Sequence, residues 1–273
     1  MRLFPFLTII SCVNRAADLH GTFPRKEHAM EHWESISPGG YRFVYDEAVF
    51  PPGTDSFLLS ALPRLKAGMR VCDLGCGSGL LSLLLLQRQQ GLDVTGVELD
   101  EHAAALARRA AAENGLTKQM RVACGDLRQI RALLPAGAFD LVICNPPYYA
   151  PQGGKLSARP SLRTARAELT CTAEDACAAA AYLLRWGGSF CVVHKPERLT
   201  DLLCALRGAT LEPKRLRFVC PRPGTAPSLF LLEGHRGGRP GLEIPSPLVL
   251  CREDGSPTAE LDAIYFRTEE DMP

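Results

Sequence analysis

The 273-residue chain has no C-x-x-C pair: its eleven cysteines lie scattered between Cys12 and Cys251, an odd number without framework or metal-ligand spacing. That argues against a disulfide scaffold and a zinc site, and it fits a reducing, cytoplasmic setting. Net charge is also lacking, with 31 basic against 30 acidic residues, so no global field announces a nucleic-acid ligand and any basic surface must be local. No internal repeat is visible, and no stretch reaches the roughly eighteen uninterrupted apolar residues of a membrane span. The nearest approach is Leu3 to Val13 behind Arg2. Pro5 interrupts that run, its positive flank is one arginine and no A-x-A cleavage pattern follows, so an export signal is not expected. Met30 offers an alternative start, which makes residues 1–29 an expected disordered extension or a mis-assigned beginning.

What is present is enough apolar content, 46%, for a globular core. From Met69 onward short β-rich runs alternate with helical patterns, the signature of an α/β domain with a mostly parallel sheet. Strands are expected at Arg70 to Leu74, Val94 to Glu98, Met120 to Cys124, Leu141 to Cys144 and Ser189 to Val193, each short, apolar and bounded by turn residues. Helices are expected over Leu80 to Gln89, Glu101 to Glu113 and Ala173 to Arg185, with Asn114-Gly115 and Gly187-Gly188 as stops. Arg215 to Cys220 and Ser228 to Leu232 read as an antiparallel pair across a proline-rich linker. The domain therefore spans 69–236, preceded by a helical and loop segment over 30–68 and followed by a Gly- and Pro-rich wrapping tail over 237–273.

Asp73-Leu-Gly75-Cys-Gly77-Ser-Gly79 follows a predicted strand and opens a predicted helix, where an α/β sheet binds a nucleotide-like ligand. The glycines fall as G-x-G-x-G behind an acidic residue, not as the G-x-G-x-x-G that cradles a pyrophosphate. A carboxylate there repels phosphate but pairs with the ammonium of a methionine moiety, while the glycines let backbone approach the ligand. Glu98 closes the second strand, where it can accept from both ribose hydroxyls; Asp126 follows the third and can accept from an adenine amine. Leu99, Leu127 and Asn145 complete the expected cofactor set. Asp73, Gly75, Gly77, Gly79, Glu98 and Asp126 resemble the cofactor motifs of class I S-adenosylmethionine-dependent methyltransferases. The resemblance implies S-adenosylmethionine as cofactor and a Rossmann-like, doubly wound, mostly parallel seven-stranded sheet with a C-terminal antiparallel strand.

Asn145-Pro146-Pro147-Tyr148 ends the fourth predicted strand and supplies the expected catalytic residues. An aromatic amine is a poor nucleophile until acceptors hold its hydrogens, which the Asn145 amide oxygen and the Pro146 carbonyl can do. Pro146 and Pro147 stiffen the loop, and the Tyr148 ring can stack on a base. No strong general base is needed, because the methylated product sheds its proton readily. The motif is shared by adenine methyltransferases of DNA and RNA, some guanine-N2 methyltransferases of rRNA, and enzymes that methylate a release-factor glutamine. A scaffold that binds RNA without catalysis is a further alternative, disfavoured by the intact motif.

Tyr45-Asp46-Glu47-Ala48-Val49-Phe50 with Gly53-Thr54-Asp55, then an apolar helix from Phe57, carries the choice further. Together with Asn145 to Tyr148, Ala165-Arg166-Ala-Glu168, His194-Lys-Pro-Glu197-Arg198 and Pro247-Leu248-Val249, these residues resemble the bacterial tRNA(Val) adenine-37 N6-methyltransferase family over Tyr41 to about Tyr265. The family's usual His is Ala167 here. The resemblance implies an anticodon-loop adenine of tRNA as substrate, met by the stretch after Tyr148. That stretch holds Lys155, Arg159, Arg163 and Arg166, suited to phosphates. Lys214, Arg215, Arg217 and Arg222 form a second basic cluster. Cys72 and Cys76 read as packing residues and His194 as a hydrogen-bonded structural one. No metal and no membrane are expected, and the sequence leaves oligomeric state open.

Overall fold

Eight strands form the central sheet of a computed structural model that describes residues 30–46, 49, 53–146 and 171–267. In chain order the elements are β1 (His32–Ser35), β2 (Arg42–Tyr45), α1 (Thr54–Ser60), β3 (Arg70–Leu74), α2 (Leu80–Arg88), β4 (Asp93–Glu98) and α3 (Glu101–Glu113). Then come β5 (Met120–Cys124), α4 (Ile130–Leu133), β6 (Phe139–Cys144), α5 (Ala173–Leu183), β7 (Leu184–His194) and α6 (Leu199–Gly208). The chain continues through β8 (Leu211–Cys220), β9 (Leu229–Arg236), β10 (Leu248–Val249) and α7 (Ala259–Ile264). The sheet order is β10-β8-β9-β7-β6-β3-β4-β5, and every pairing in it is parallel except those of β9, which runs antiparallel to both β7 and β8. The doubly wound class I arrangement expected from the sequence is present, with β10 as an added eighth strand on the edge of β8.

Alternation along each strand divides the core in two. In β6, Leu141 and Ile143 face a cluster with α1, α2 and α3, whereas Val142 and Cys144 face a second cluster with α5 and α6. The helix α2 is apolar on all sides, and Leu80 to Leu86 are all buried between sheet and neighbouring helices. Among the described residues no helix is long and apolar enough to cross a membrane.

Three local readings change. The segment 30–68, expected as helix and loop, opens with a hairpin in which Phe43 and Val44 are fully buried. Strands of four residues carry too little periodicity to be legible. Asn114, at the end of α3, settles this one by accepting from the Arg42 N–H at 2.8 Å and donating to its carbonyl at 2.6 Å. The helix expected to reach Arg185 ends at Leu183, because Leu184 pairs with Phe139 and its carbonyl accepts from the Arg236 guanidinium. Finally, β8 and β9 each extend four residues past the expected outer bounds, to Leu211 and Arg236. In the tail, Tyr265 stacks on Phe57 of α1 with ring centroids 4.3 Å apart, and Arg88 donates to the Ile264 carbonyl.

Candidate functional site

Because β3, β4, β5 and β6 are parallel, their carboxyl ends share one edge of the sheet, and Asp73, the glycine loop, Glu98, Asp126 and Asn145 lie there. The loop after β3 turns through Gly75, Gly77 and Gly79 at φ of 71°, 54° and 86°. That left-handed region is costly for residues with a Cβ. Gly75 and Gly77 face open space, whereas a Cβ on Gly79 would lie 2.6 Å from Met120 Cε. The first two glycines thus leave room for a ligand, and the third serves helix-to-sheet packing.

Two carboxylates underlie this loop. Asp73 is 1% exposed; its Oδ2 accepts from the Ser82 hydroxyl at 2.7 Å, while its buried Oδ1 has no hydrogen-bond partner. Burial lifts its carboxyl from the ordinary 3.8 to about 7, the Ser82 hydroxyl partly opposes this and the nearby Glu98 charge adds to it. Glu98, at the end of β4, receives the Gly77 N–H at 2.8 Å on Oε2 and the Asp100 N–H at 2.9 Å on Oε1. Burial raises its carboxyl too, with those backbone donors pulling the other way. Each Glu98 oxygen retains acceptor capacity beyond its backbone bond. The next residue, Leu99, is 46% exposed, a large apolar side chain left open to solvent.

Asp126 caps a short 3-10 helix (Leu127–Gln129) and is paired with the Arg128 guanidinium, which lowers its carboxyl below the usual range. Leu127 is half-buried against the second core cluster. Asn145 directly follows β6, and its Nδ2 donates to the Ser56 hydroxyl of α1 at 3.1 Å. Pro146 follows it within the described residues. Pro147, Tyr148, Lys155, Arg159, Arg163 and Arg166 lie outside the described residues; of the site residues expected from the sequence, the described ones are Asp73, the three glycines, Glu98, Leu99, Asp126, Leu127, Asn145 and Pro146.

Sequence reasoning passed over two serines. Ser82 is a lone hydroxyl in an otherwise leucine-rich turn, and that break in composition was the available signal. Ser56 had only its adjacency to Gly53-Thr54-Asp55. The cysteines of the loop are inert: Cys72 and Cys76 are buried, and desolvation pushes both thiols well above the ordinary 9.0. Cys76 packs on Gly96 of β4, where an added Cβ would come within 2.6 Å of its sulfur. His194 accepts from the Lys195 N–H at 2.8 Å through Nδ1 and stacks against Phe230; burial, aided by Arg198, drops its ring to about 4. The second basic cluster is partly neutralised, since Arg215 pairs with Glu233 and Arg217 with Glu260. Among the described residues no group of three His, Cys, Asp or Glu side chains could hold a metal ion.

Residues 42–203 match the family model described as the methyltransferase small domain. The chain is 36% identical over 162 residues to the tRNA1(Val) (adenine(37)-N6)-methyltransferase of Serratia proteamaculans, a stretch covering 57% of this chain and 61% of that protein. To the protein of the same name from Dickeya chrysanthemi it is 34% identical over 179 residues, 63% of this chain and 70% of the other. The chain thus spans 61% of the length of the Serratia relative and 60% of its Enterobacter counterpart. Among solved structures, a predicted O-methyltransferase from Agrobacterium tumefaciens superposes with a TM-score of 0.66 over 78% of this chain and 96% of that one, at 23% identity, a likeness of fold.

Proposed function

The chain belongs to the methyltransferase small-domain family, and from that membership we propose that it methylates the N6 amino group of an adenine in tRNA, at position 37 of a valine tRNA as in the names of its relatives. The methyl donor in this reading is S-adenosylmethionine. The observation that carries it is the Asp73 carboxylate, buried beneath the glycine loop with Oδ1 lacking a partner, beside the second buried carboxylate of Glu98. An uncompensated acidic nook of this kind favours a cationic ligand over a phosphate.

The residues present fit that donor. Asp73 would take the ammonium of the methionine moiety, Glu98 the ribose hydroxyls, and Leu99 and Leu127 the faces of the adenine ring. Asp126 would accept from the adenine amine, sharing its carboxylate with Arg128. When bound, S-adenosylmethionine supplies a methyl group made electrophilic by its sulfonium.

The chain's own contribution is positioning. Asn145 Oδ1 and the Pro146 carbonyl accept the hydrogens of the target amine, turning its lone pair out of conjugation and toward the donor. Proline at 146 fixes φ and keeps the corner stiff. A base must leave its stack to reach such a pocket, which favours a loop over a duplex. Lys155, Arg159, Arg163 and Arg166 supply positive charge next in sequence for the phosphates of the substrate.

Incubation with labelled S-adenosylmethionine and total tRNA, followed by digestion to nucleosides, tests the reading. Label is expected in N6-methyladenosine; label in guanine or in protein refutes the substrate.

A further inference from the structure

We propose that Ser56 is a positioning residue for methyl transfer, setting the rotation of the Asn145 carboxamide so that Oδ1 meets the target amine. The proposal rests on the adenine-N6 reading of the site.

The last torsion of an asparagine side chain is broad and nearly two-fold, so the residue by itself does not determine which of its oxygen and nitrogen faces a ligand. A carboxamide carries those atoms on opposite sides of one carbon. Anchoring Nδ2 therefore sets the direction of Oδ1, and the Ser56 hydroxyl provides the anchor by accepting from Nδ2 at 3.1 Å. Its own position is held firmly. Ser56 lies in the first turn of α1, whose next residues Phe57, Leu58 and Leu59 are at most 2% exposed, and Phe57 is stacked on Tyr265. The anchor thus sits on a helix whose following residues are in the packed core, whereas the asparagine lies just past the end of a strand. An amine that must present a lone pair needs an acceptor, and a flipped amide would present donors and repel it.

Ser56→Ala should lower kcat with tRNA about fivefold, the worth of one ordinary hydrogen bond. KM for S-adenosylmethionine and the melting temperature should stay near wild type. Ser56→Thr, which keeps the hydroxyl, should restore kcat. A second readout needs no turnover: the side-chain amide signals of Asn145 in 15N-labelled protein bound to S-adenosylhomocysteine, assigned by their loss in Asn145→Ala. They should shift in Ser56→Ala and return in Ser56→Thr. Amide signals unmoved by Ser56→Ala, or a threonine variant as slow as the alanine one, overturn the role of Ser56. If the wild type places label elsewhere than on adenine, or transfers none, the substrate reading fails while the amide signals still decide the serine.

Discussion

Replacing Asp73 with asparagine should stabilise the ligand-free protein at alkaline pH and weaken its hold on the cofactor. In the folded chain this carboxyl titrates at about 7 in place of the ordinary 3.8, chiefly because it is buried. A group whose folded value is raised contributes stability that is fully present below its unfolded value and lost as pH rises through its folded one. The window is therefore pH 4 to 7, and above it the ionised carboxylate costs on the order of 4 kcal/mol. Ser82 already offsets part of that burial, while Glu98 opposes ionisation. A neutral carboxamide in its place carries no such dependence, so the melting temperature of Asp73→Asn should climb relative to wild type between pH 5 and pH 8. About 1 kcal/mol corresponds to roughly 2–4 °C for a domain of this size, so the gap should reach several degrees. Ligand binding should move the opposite way. An ammonium beside Asp73 favours its ionised form, so wild type should bind S-adenosylhomocysteine roughly tenfold more weakly at pH 6 than at pH 7.5, whereas the variant stays weak and flat. The ligand's own amine, ordinarily near 7.7–8.0, bounds the gain on the alkaline side. Differential scanning fluorimetry and isothermal titration across overlapping buffers measure both. Parallel melting curves for the two proteins from pH 5 to pH 8 would refute the burial argument, and parallel affinities would refute the ammonium contact.

Asn145→Ala should cut single-turnover methyl transfer by about 100-fold while leaving affinity for S-adenosylhomocysteine unchanged, the pattern of a lost positioning contact. Gly79→Ala places a Cβ 2.6 Å from Met120 Cε at a φ of 86°, and urea denaturation should show a loss of about 2 kcal/mol. Arg159→Ala with Arg163→Ala should weaken tRNA binding and reduce its salt slope by about 2; an unchanged slope in filter binding would remove these residues from the phosphate contacts.

Much of the fold was legible because its evidence is local. The bounds of β3 and β5, and of α3 from Glu101 to Glu113, follow from apolar runs and stops within a few residues of one another. The same holds for the glycine loop, whose residue type announces its dihedral angles. Where pairing across the fold decided, reading failed: the hairpin at 32–45 depends on Asn114, and the end of α5 on Phe139 and Arg236. The expected seven strands became eight because Leu248–Val249 found an edge on β8, a partner that two residues cannot advertise.

The chain's own order of residues determined that an acidic strand end, a glycine turn and an Asn-Pro corner would occur, and the parallel α/β pattern dictated that they would meet at one edge. Only the tertiary structure decided which atoms are spoken for. Ser82 occupies one oxygen of Asp73 and leaves the other, Gly77 binds Glu98, and Ser56 reaches across 89 residues to Asn145. Periodicity and spacing report where a backbone goes. The partners of a buried polar atom depend on side chains brought together by packing, and no local pattern encodes them.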